Sequence, residues 1–566
     1  MITKISVHKI IDLILRSGDI DSRFADSSTM YKGAAAHRKI QKEAPEGYKK
    51  EVTLKLETEI EGIPTLIQGR ADGIITAPDG TITIDEIKTT TLPLSYLYKQ
   101  HQQHLGQGKC YAYMYISTLE APPEAIAIQL TYYQLDSEEL ERHTWQFTPA
   151  EVEAFFLDLL HKYGMWLRLQ RDWKIERDTS IQAAKFPFES FRKGQREFAA
   201  AAYRAVAAKK KLYAAAPTGI GKTLSALFPA IKAIGEGKAE KIFYLTAKTI
   251  TRTVAEDAVK LMADKGLRFK SVTLRAKDKI CPNSQRNCTP DHCANANGHY
   301  DRINDAVWDL INNNDLITPA ITQEYAKKHR VCPHEYALDA ALWCDLVIGD
   351  YNHVFDPSVY LRRFFNDNAV GDYVFLIDEA HNLADRVRDM YTASLRKNSF
   401  SNIRKQLKDK DPLSTEVRKT LRLINAYLGD IKKEHEKNHA TQEQDMVFKA
   451  FITMFSKSAG EWLAAKKYDN HELYEEMLNL YFDVNMYTMI SEIYGHHYTT
   501  LIETQGRDVA ITLFCLDPSN VIAEGLSRGI ASIIVSATLT PLGYYREILG
   551  GDTSDPIITL PSPFDP

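Results

Sequence analysis

Twelve residues, Leu212-Tyr213-Ala214-Ala215-Ala216-Pro217-Thr218-Gly219-Ile220-Gly221-Lys222-Thr223, constrain this chain more than any other stretch. An apolar strand runs into a tight glycine-containing loop, and Gly-Lys-Thr opens a helix. In such a loop the backbone N–H groups point inward and the helix N-terminus adds positive potential, so phosphate oxygens replace water without leaving a donor unpaired. Gly219 and Gly221 belong to the loop, Lys222 is placed to reach β- and γ-phosphates, and the Thr223 hydroxyl is placed to ligate Mg²⁺. The phosphate-loop pattern begins with glycine and here carries Ala216, but its Gly-Ile-Gly-Lys-Thr core is whole. The expected ligand is a nucleoside triphosphate, ATP.

Two further apolar strands end in chemistry. Val374-Phe375-Leu376-Ile377 is followed by Asp378-Glu379-Ala380-His381, which puts an acidic pair at the carboxyl end of a buried parallel strand, where ligands bind in open α/β sheets. Asp378 is expected to hold Mg²⁺ through water, Glu379 to polarise the attacking water and His381 to sense the γ-phosphate. Ala531-Ser532-Ile533-Ile534-Val535 leads into Ser536-Ala537-Thr538, a turn suited to coupling the γ-phosphate to a nucleic-acid groove. Upstream of the phosphate loop, Gln195 follows Phe191-Arg192 and reads as the adenine contact. Ala247-Lys248-Thr249, at the end of the strand beginning at Lys241, is placed to hold a DNA backbone.

About 150 residues separate the first two of these motifs, and about 150 the last two. Both gaps are too long for loops inside a compact domain, so each is expected to hold an inserted domain. The first contains Cys281, Cys288, Cys293 and Cys332, separated by 6, 4 and 38 residues, with Cys344 beyond. Thiolates at this density bind soft metals, and cysteine alone does not separate zinc from an iron–sulfur cluster. In the second gap Leu421, Ile424, Leu428 and Ile431 form an apolar stripe at helical spacing, which predicts a helical bundle.

Residues 1 to 175 carry a different constellation. His37 stands in a helical stretch, Asp72 in Gly69-Arg70-Ala71-Asp72, Glu86 and Lys88 in Ile84-Asp85-Glu86-Ile87-Lys88, and Gln107 and Tyr111 four apart on a helix. The alternation from Thr65 to Lys88, broken at Pro78-Asp79-Gly80, predicts two antiparallel strands. Glu86 and Lys88 then share a face, and Asp72 meets Glu86 across the sheet. Two carboxylates and an imidazole make a hard site for Mg²⁺ or Mn²⁺, with Lys88 beside it to orient or deprotonate a water.

Composition sets the outer bounds. At 566 residues the chain has room for roughly four domains, and 44% hydrophobic with 25% charged residues is ordinary for a globular protein. A net charge of −4 confines any nucleic-acid surface to a local groove. Asp12 interrupts the apolar start, which fails as a signal peptide, and no run of 18 apolar residues suggests a membrane span. Seven cysteines, an odd number with four clustered, read as a metal site in a reducing, cytoplasmic setting.

The four N-terminal motifs, in this order, resemble the RecB-like branch of the PD-(D/E)xK nuclease superfamily. That resemblance implies His37, Asp72 and Glu86 as metal ligands, Lys88 as the catalytic lysine, and Gln107 with Tyr111 beside the site or the DNA. The remaining motifs resemble the XPD/DinG family of iron–sulfur superfamily 2 DNA helicases. It implies a [4Fe–4S] cluster on Cys281, Cys288, Cys293 and Cys332, an Arch domain in the second gap, and 5′ to 3′ unwinding of single-stranded or forked DNA in repair or recombination. Cys344, against an apolar strand, is expected to be a buried thiol.

The expected layout is α/β throughout: a nuclease-like domain at 1–175, a RecA-like parallel-sheet lobe at 186–275, 344–394 and 526–566, a cluster insertion at 276–343 and a helical Arch-like insertion at 395–525. The stretch from Arg171 to Phe188 reads as an irregular linker. The family continues into a second RecA-like lobe with arginine fingers, so a fragment is expected, weak as an ATPase by itself, with a separately encoded second lobe as a candidate partner. Two other functions fit the same motifs: a DNA clamp with a degenerate nuclease, and an active nuclease regulated by an ATP-binding lobe.

Overall fold

The computed structural model describes residues 2–21, 29–90, 94, 101–135, 137–284, 287–365, 371–435, 437–467 and 471–562. The chain forms two compact units: Met1–Lys174 with Gln285–Ala306 and His329–Cys332, and Ile175–Ser284 with Val307–Lys328 and Pro333–Pro566.

In the first unit a six-stranded mixed sheet runs in the order Thr3–Ser6, Ile63–Thr76, Ile82–Thr90, Ile126–Gln134, Leu140–Phe147, with Tyr48–Ile60 also paired to Ile63–Thr76. Ile63–Thr76 and Ile82–Thr90 are antiparallel around Pro78-Asp79-Gly80, where Gly80 takes φ +88°, a conformation open to glycine. Ile82–Thr90 and Ile126–Gln134 are parallel, and the helix His101–Ile116 lies between them in sequence. Alternation decides what is buried: Ile74, Ile82, Ile84, Ile126 and Ile128 pack with Tyr111, Met114 and Phe156 in one core.

The second unit is built on an eight-stranded sheet in the order Leu316–Ile317, Ser271–Thr273, Leu346–Gly349, Lys241–Leu245, Tyr373–Asp378, Ala531–Ser536, Lys211–Ala215, Ile557–Thr559. Every neighbouring pair in it is parallel. Continuous apolar runs such as Ile242-Phe243-Tyr244-Leu245 are buried on both faces, as parallel sheets require. Ala201, Ala202 and Ala205 of the helix Gln195–Ala207 and Ala226, Ala230 and Ala233 of Lys222–Gly235 lie in the same core, where small side chains let helices approach closely.

Three expectations are corrected here. The stretch from Arg171 to Phe188 is not irregular throughout: one helix runs from Pro149 to Ala183, and the division between units falls inside it. Its polar residues are helix formers, and composition alone hid the 3.6-residue period. The segment 276–343 is not wholly an insertion, because Leu316–Ile317 pairs with Ser271–Thr273 as an edge strand of the parallel sheet. The segment 395–525 is not purely helical. Helices Lys397–Gln406, Pro412–Glu434, Met446–Lys466 and Tyr474–Glu492 accompany an antiparallel sheet of Ala393–Arg396, Asp508–Cys515, Tyr498–Gln505 and His439–Thr441. Leu421, Ile424 and Leu428 of the expected stripe are buried, and Ile431 is partly exposed. Among the described residues no helix is long and apolar enough to cross a membrane.

Candidate functional site

The phosphate loop sits at the carboxyl end of the strand Lys211–Ala215, between the strands Ala531–Ser536 and Ile557–Thr559. Gly219 and Gly221 take φ +84° and +80°, which explains why glycine is needed at both. A Cβ on Gly221 would also stand 2.6 Å from Gln195 Nε2. Ala216 is not left-handed; it is fully buried and its N–H donates to Ser536 O at 2.9 Å, so the absent glycine costs the loop nothing. Arg192 braces the loop by donating to Gly219 O at 2.6 Å.

Lys222 Nζ lies 3.5 Å from Glu379 Oε1, so the loop lysine and the acidic motif face one site. Asp378 is buried; burial raises its carboxyl above the usual range, against the hydrogen bond from Tyr244. The Tyr244 hydroxyl donates to Asp378 Oδ2 and lies 3.4 Å from Thr223 Oγ1. Two hard oxygen groups, Thr223 and Asp378, are thus gathered around one phenol, a donor set that suits Mg²⁺. His381 Nδ1 is 2.7 Å from Ser536 Oγ and 3.6 Å from Glu379 Oε2, which ties the acidic turn to the Ser-Ala-Thr turn. Gln195 is buried and its Oε1 accepts the Arg192 N–H at 3.0 Å. Glu379 takes φ +52°, a left-handed conformation that costs a residue with a Cβ roughly 1–2 kcal/mol.

In the first unit the sheet brings Asp72, Glu86, Lys88 and Gln107 together. The ladder between Ile63–Thr76 and Ile82–Thr90 stops at Gly73 opposite Asp85. One step further, the Asp72 carboxylate takes the Ile87 N–H at 2.8 Å. Lys88 Nζ donates to Glu86 Oε1 at 2.7 Å and to Gln107 Oε1 at 3.0 Å. Gln107 Nε2 in turn reaches Tyr111 OH at 3.3 Å, so the two helix residues four apart act on one face. Gly69 is glycine because a Cβ there would lie 2.5 Å from the Tyr111 ring. His37 Nδ1 is 3.7 Å from Asp72 Oδ1.

Glu86 is buried, and burial pushes its carboxyl up to about 8, with Lys88 opposing and Asp72 adding. Its Oε2 has no hydrogen-bond partner among the described residues. A buried oxygen of this kind is costly unless something cationic meets it. The oxygen-rich donors are of the kind a hard divalent ion takes, but among the described residues His37, Asp72 and Glu86 are not gathered as one three-residue group that could hold a metal. Sequence reasoning missed His8, whose Nε2 is 3.3 Å from Gln107 Nε2, and Asp85, buried on the opposite face and held by Tyr48, Gln129 and Thr131. His8 has no motif around it; Asp85 was legible only as the alternate neighbour of Glu86.

The cysteines fare differently. Cys293 is buried, and Cys281, Cys288 and Cys332 are partly exposed. Cys281 lies in the second unit, the other three in the first. Among the described residues no three His, Cys, Asp or Glu side chains are gathered closely enough to hold a metal ion. Cys344 is buried, and burial pushes its thiol up to about 12, which keeps the proton on sulfur.

Residues 193–314 match the family model described as DEAD/DEAH box helicase, and residues 264–400 the model described as DEAD_2. Together the two models span residues 193–400, the stretch that holds the phosphate loop, the acidic turn and four strands of the parallel sheet that lie between them in the chain. Over 101 residues the chain is 31% identical to the Fanconi anemia group J protein homolog of Gallus gallus, an alignment covering 18% of this chain and 7% of that protein. Among solved structures it is similar to an XPD helicase, with TM-score 0.44 and 15% identity over 66% of this chain and 62% of that one. A truncated XPD gives TM-score 0.41 and 15% identity over 64% and 99%. The chain thus spans less than a tenth of the curated relative it matches and under two thirds of the first of these structures.

Proposed function

We propose that this chain is the ATP-binding part of an XPD/DinG-like superfamily 2 DNA helicase, unwinding single-stranded or forked DNA 5′ to 3′ in repair or recombination, joined to a metal-dependent nuclease of the PD-(D/E)xK kind. The observation that carries the motor reading is the convergence of Lys222, Thr223, Asp378, Glu379 and His381 at the carboxyl ends of two parallel strands separated by the strand Ala531–Ser536. Lys222 leaves Glu379 to take the β- and γ-phosphates, which frees that carboxylate to accept a proton from the attacking water. Mg²⁺, held by Thr223 and Asp378, would supply charge neutralisation on the phosphates. His381 passes the state of the acidic turn to Ser536 through their hydrogen bond. Lys222→Ala is expected to lower ATP affinity at least about a hundredfold, the loss of a charge-assisted contact in a closed site; equilibrium binding of a fluorescent ATP analogue checks it, and retained affinity refutes the motor reading.

The nuclease reading rests on the buried Glu86 beside Asp72, with Lys88 held between Glu86 and Gln107. A divalent ion there, on His37, Asp72 and Glu86, would supply a lowered water pKa and charge on the scissile phosphate. Lys88 orients the water, and Gln107, which donates to Tyr111, holds Lys88. Glu86→Ala or Lys88→Ala is expected to cut Mn²⁺-dependent nicking of plasmid DNA by about a hundredfold or more, within the range for a positioned acid–base group, with ATP binding unchanged. Equal nicking by the parent and both variants refutes the site.

The cysteines remain in this proposal on donor chemistry alone: four thiolates in one stretch suit a [4Fe–4S] cluster. No step is routed through it. Iron and sulfide analysis of anaerobically purified protein decides between a cluster and zinc.

A further inference from the structure

The buried run Ile242-Phe243-Tyr244-Leu245 carries one polar side-chain atom, the Tyr244 hydroxyl. Tyr244 stands level with Leu376 of the acidic strand on one side and with Ile348 on the other. Side chains alternate along a strand, so Asp378, two residues past Leu376, shares the face of Tyr244. That face carries the core formed with Leu224 and Leu227 of the phosphate-loop helix. Tyr244 is 1% exposed, and a hydroxyl buried so deeply costs free energy unless it is bonded. Phenylalanine would fill the same space without that cost, so the oxygen has a use.

Its partners fix what it does. Asp378 Oδ1 takes the Glu379 N–H at 2.8 Å, and Oδ2 takes the Tyr244 hydroxyl. Two donors, one on each oxygen, favour the ionised carboxylate, which only accepts. The single proton of Tyr244 is thus spent on Asp378. At the other contact, 3.4 Å from Thr223 Oγ1, the phenol oxygen is left to accept and Thr223 to donate. That separation is long, as catalytic contacts are before substrate draws them together. A Thr223 proton aimed at Tyr244 turns the hydroxyl lone pairs the other way, and lone pairs are what an ion on that oxygen needs. A second phenol grips the same acidic residue differently. Tyr351, fully buried, donates to the backbone carbonyls of Asp378 at 2.5 Å and Glu379 at 3.0 Å.

We propose that Tyr244 is a positioning residue for Mg²⁺: by donating to Asp378 and accepting from Thr223 it turns the Thr223 lone pairs toward the nucleotide and joins the two groups that hold the ion. This rests on the reading of the phosphate loop as an ATP site with Thr223 and Asp378 as its magnesium groups.

The test uses the full chain and a fluorescent, non-hydrolysable ATP analogue, bound without divalent ion and across a Mg²⁺ series. Tyr244→Phe is expected to leave the Mg²⁺-free affinity within about twofold of the parent, a change too small to count as a lost contact. It is expected to raise the Mg²⁺ concentration for half-maximal enhancement of binding by about fivefold or more, the size of one lost hydrogen bond. Tyr351→Phe, which removes a bond to the backbone of the same acidic residue, keeps the parental Mg²⁺ requirement. A parental requirement in Tyr244→Phe, or an equal rise in Tyr351→Phe, overturns the proposal. A crystal structure of the parent with Mg²⁺ and ADP gives a second reading and carries the test if Tyr244→Phe does not fold. Thr223 Oγ1 is expected within about 3 Å of the Tyr244 hydroxyl, and a Thr223 hydroxyl turned onto Asp378 instead overturns the proposal. Mg²⁺-dependent binding by the parent keeps the ATP-site reading whatever Tyr244→Phe does. A parent that binds no nucleotide overturns that reading and the proposal with it.

Discussion

Glu86 sets a cost on the stability of the first unit. Burial lifts its carboxyl from an ordinary 4.5 to about 8. Below 4.5 the group is neutral in both states; between 4.5 and 8 the unfolded chain releases the proton and the folded chain keeps it, so stability falls as pH rises through that window and levels off above it. Replacing the acid by Glu86→Gln is expected to raise stability at pH 8 by on the order of 2 kcal/mol while abolishing nicking. Chemical denaturation at pH 5 and pH 8 checks this: the variant should gain at the higher pH and show little change at the lower. At this scale the sequence was legible where one residue type has one use. Lys222, Asp378 and Glu86 announce themselves by their neighbours, whereas Tyr351 does not: its hydroxyl bonds the Asp378 carbonyl 27 positions away, a contact that no local pattern signals.

The helix His101–Ile116 carries Gln107 and rests on the strand Ile126–Gln134 through Gly108, where a Cβ would meet Ile128 Cγ2 at 2.5 Å. Gly108→Val forces the helix away from the sheet and is expected to cost about 2–3 kcal/mol by overpacking. The same movement draws Gln107 from Lys88, so nicking should fall more than the folded fraction does, and ATP binding should not change. Comparing nicking per folded molecule with thermal unfolding separates the two effects. Elements were legible where periodicity was strong, as in the buried runs of the parallel sheet and the hairpin around Gly80. The sheet inside 395–525 was missed, although Gly506-Arg507 between two alternating runs is a hairpin signal. Gly506, at φ +58°, makes that turn. The helical stripe at 421–428 dominated the reading of the whole segment.

At the scale of the molecule, the two units hold separate hydrophobic cores. On the proposed reading, MgATP is expected to bind the unit with the phosphate loop. At a hundred times its dissociation constant it should stabilise that unit by about 2.7 kcal/mol and raise its calorimetric transition, leaving the other in place. Lys222→Ala should erase the shift. The apolar strands before the motifs foretold the parallel sheet of the second unit, but not the return of Leu316–Ile317 to it, since two residues carry no periodicity. Cysteine spacing likewise named candidate ligands without showing that they gather.

The sheet order has a consequence for synthesis. The phosphate-loop strand Lys211–Ala215 does not touch the acidic strand Tyr373–Asp378; Ala531–Ser536 lies between them and bonds to both. A nascent chain that has passed Thr223 and even His381 therefore lacks the strand that sets their spacing. At about 5–20 residues per second, the ribosome takes roughly a quarter of a minute to a minute to travel from Ala215 to Ser536. Throughout that interval Lys211–Ala215 has neither of its partner strands and Tyr373–Asp378 keeps one edge open, and open edges of this kind are where strands of separate chains join.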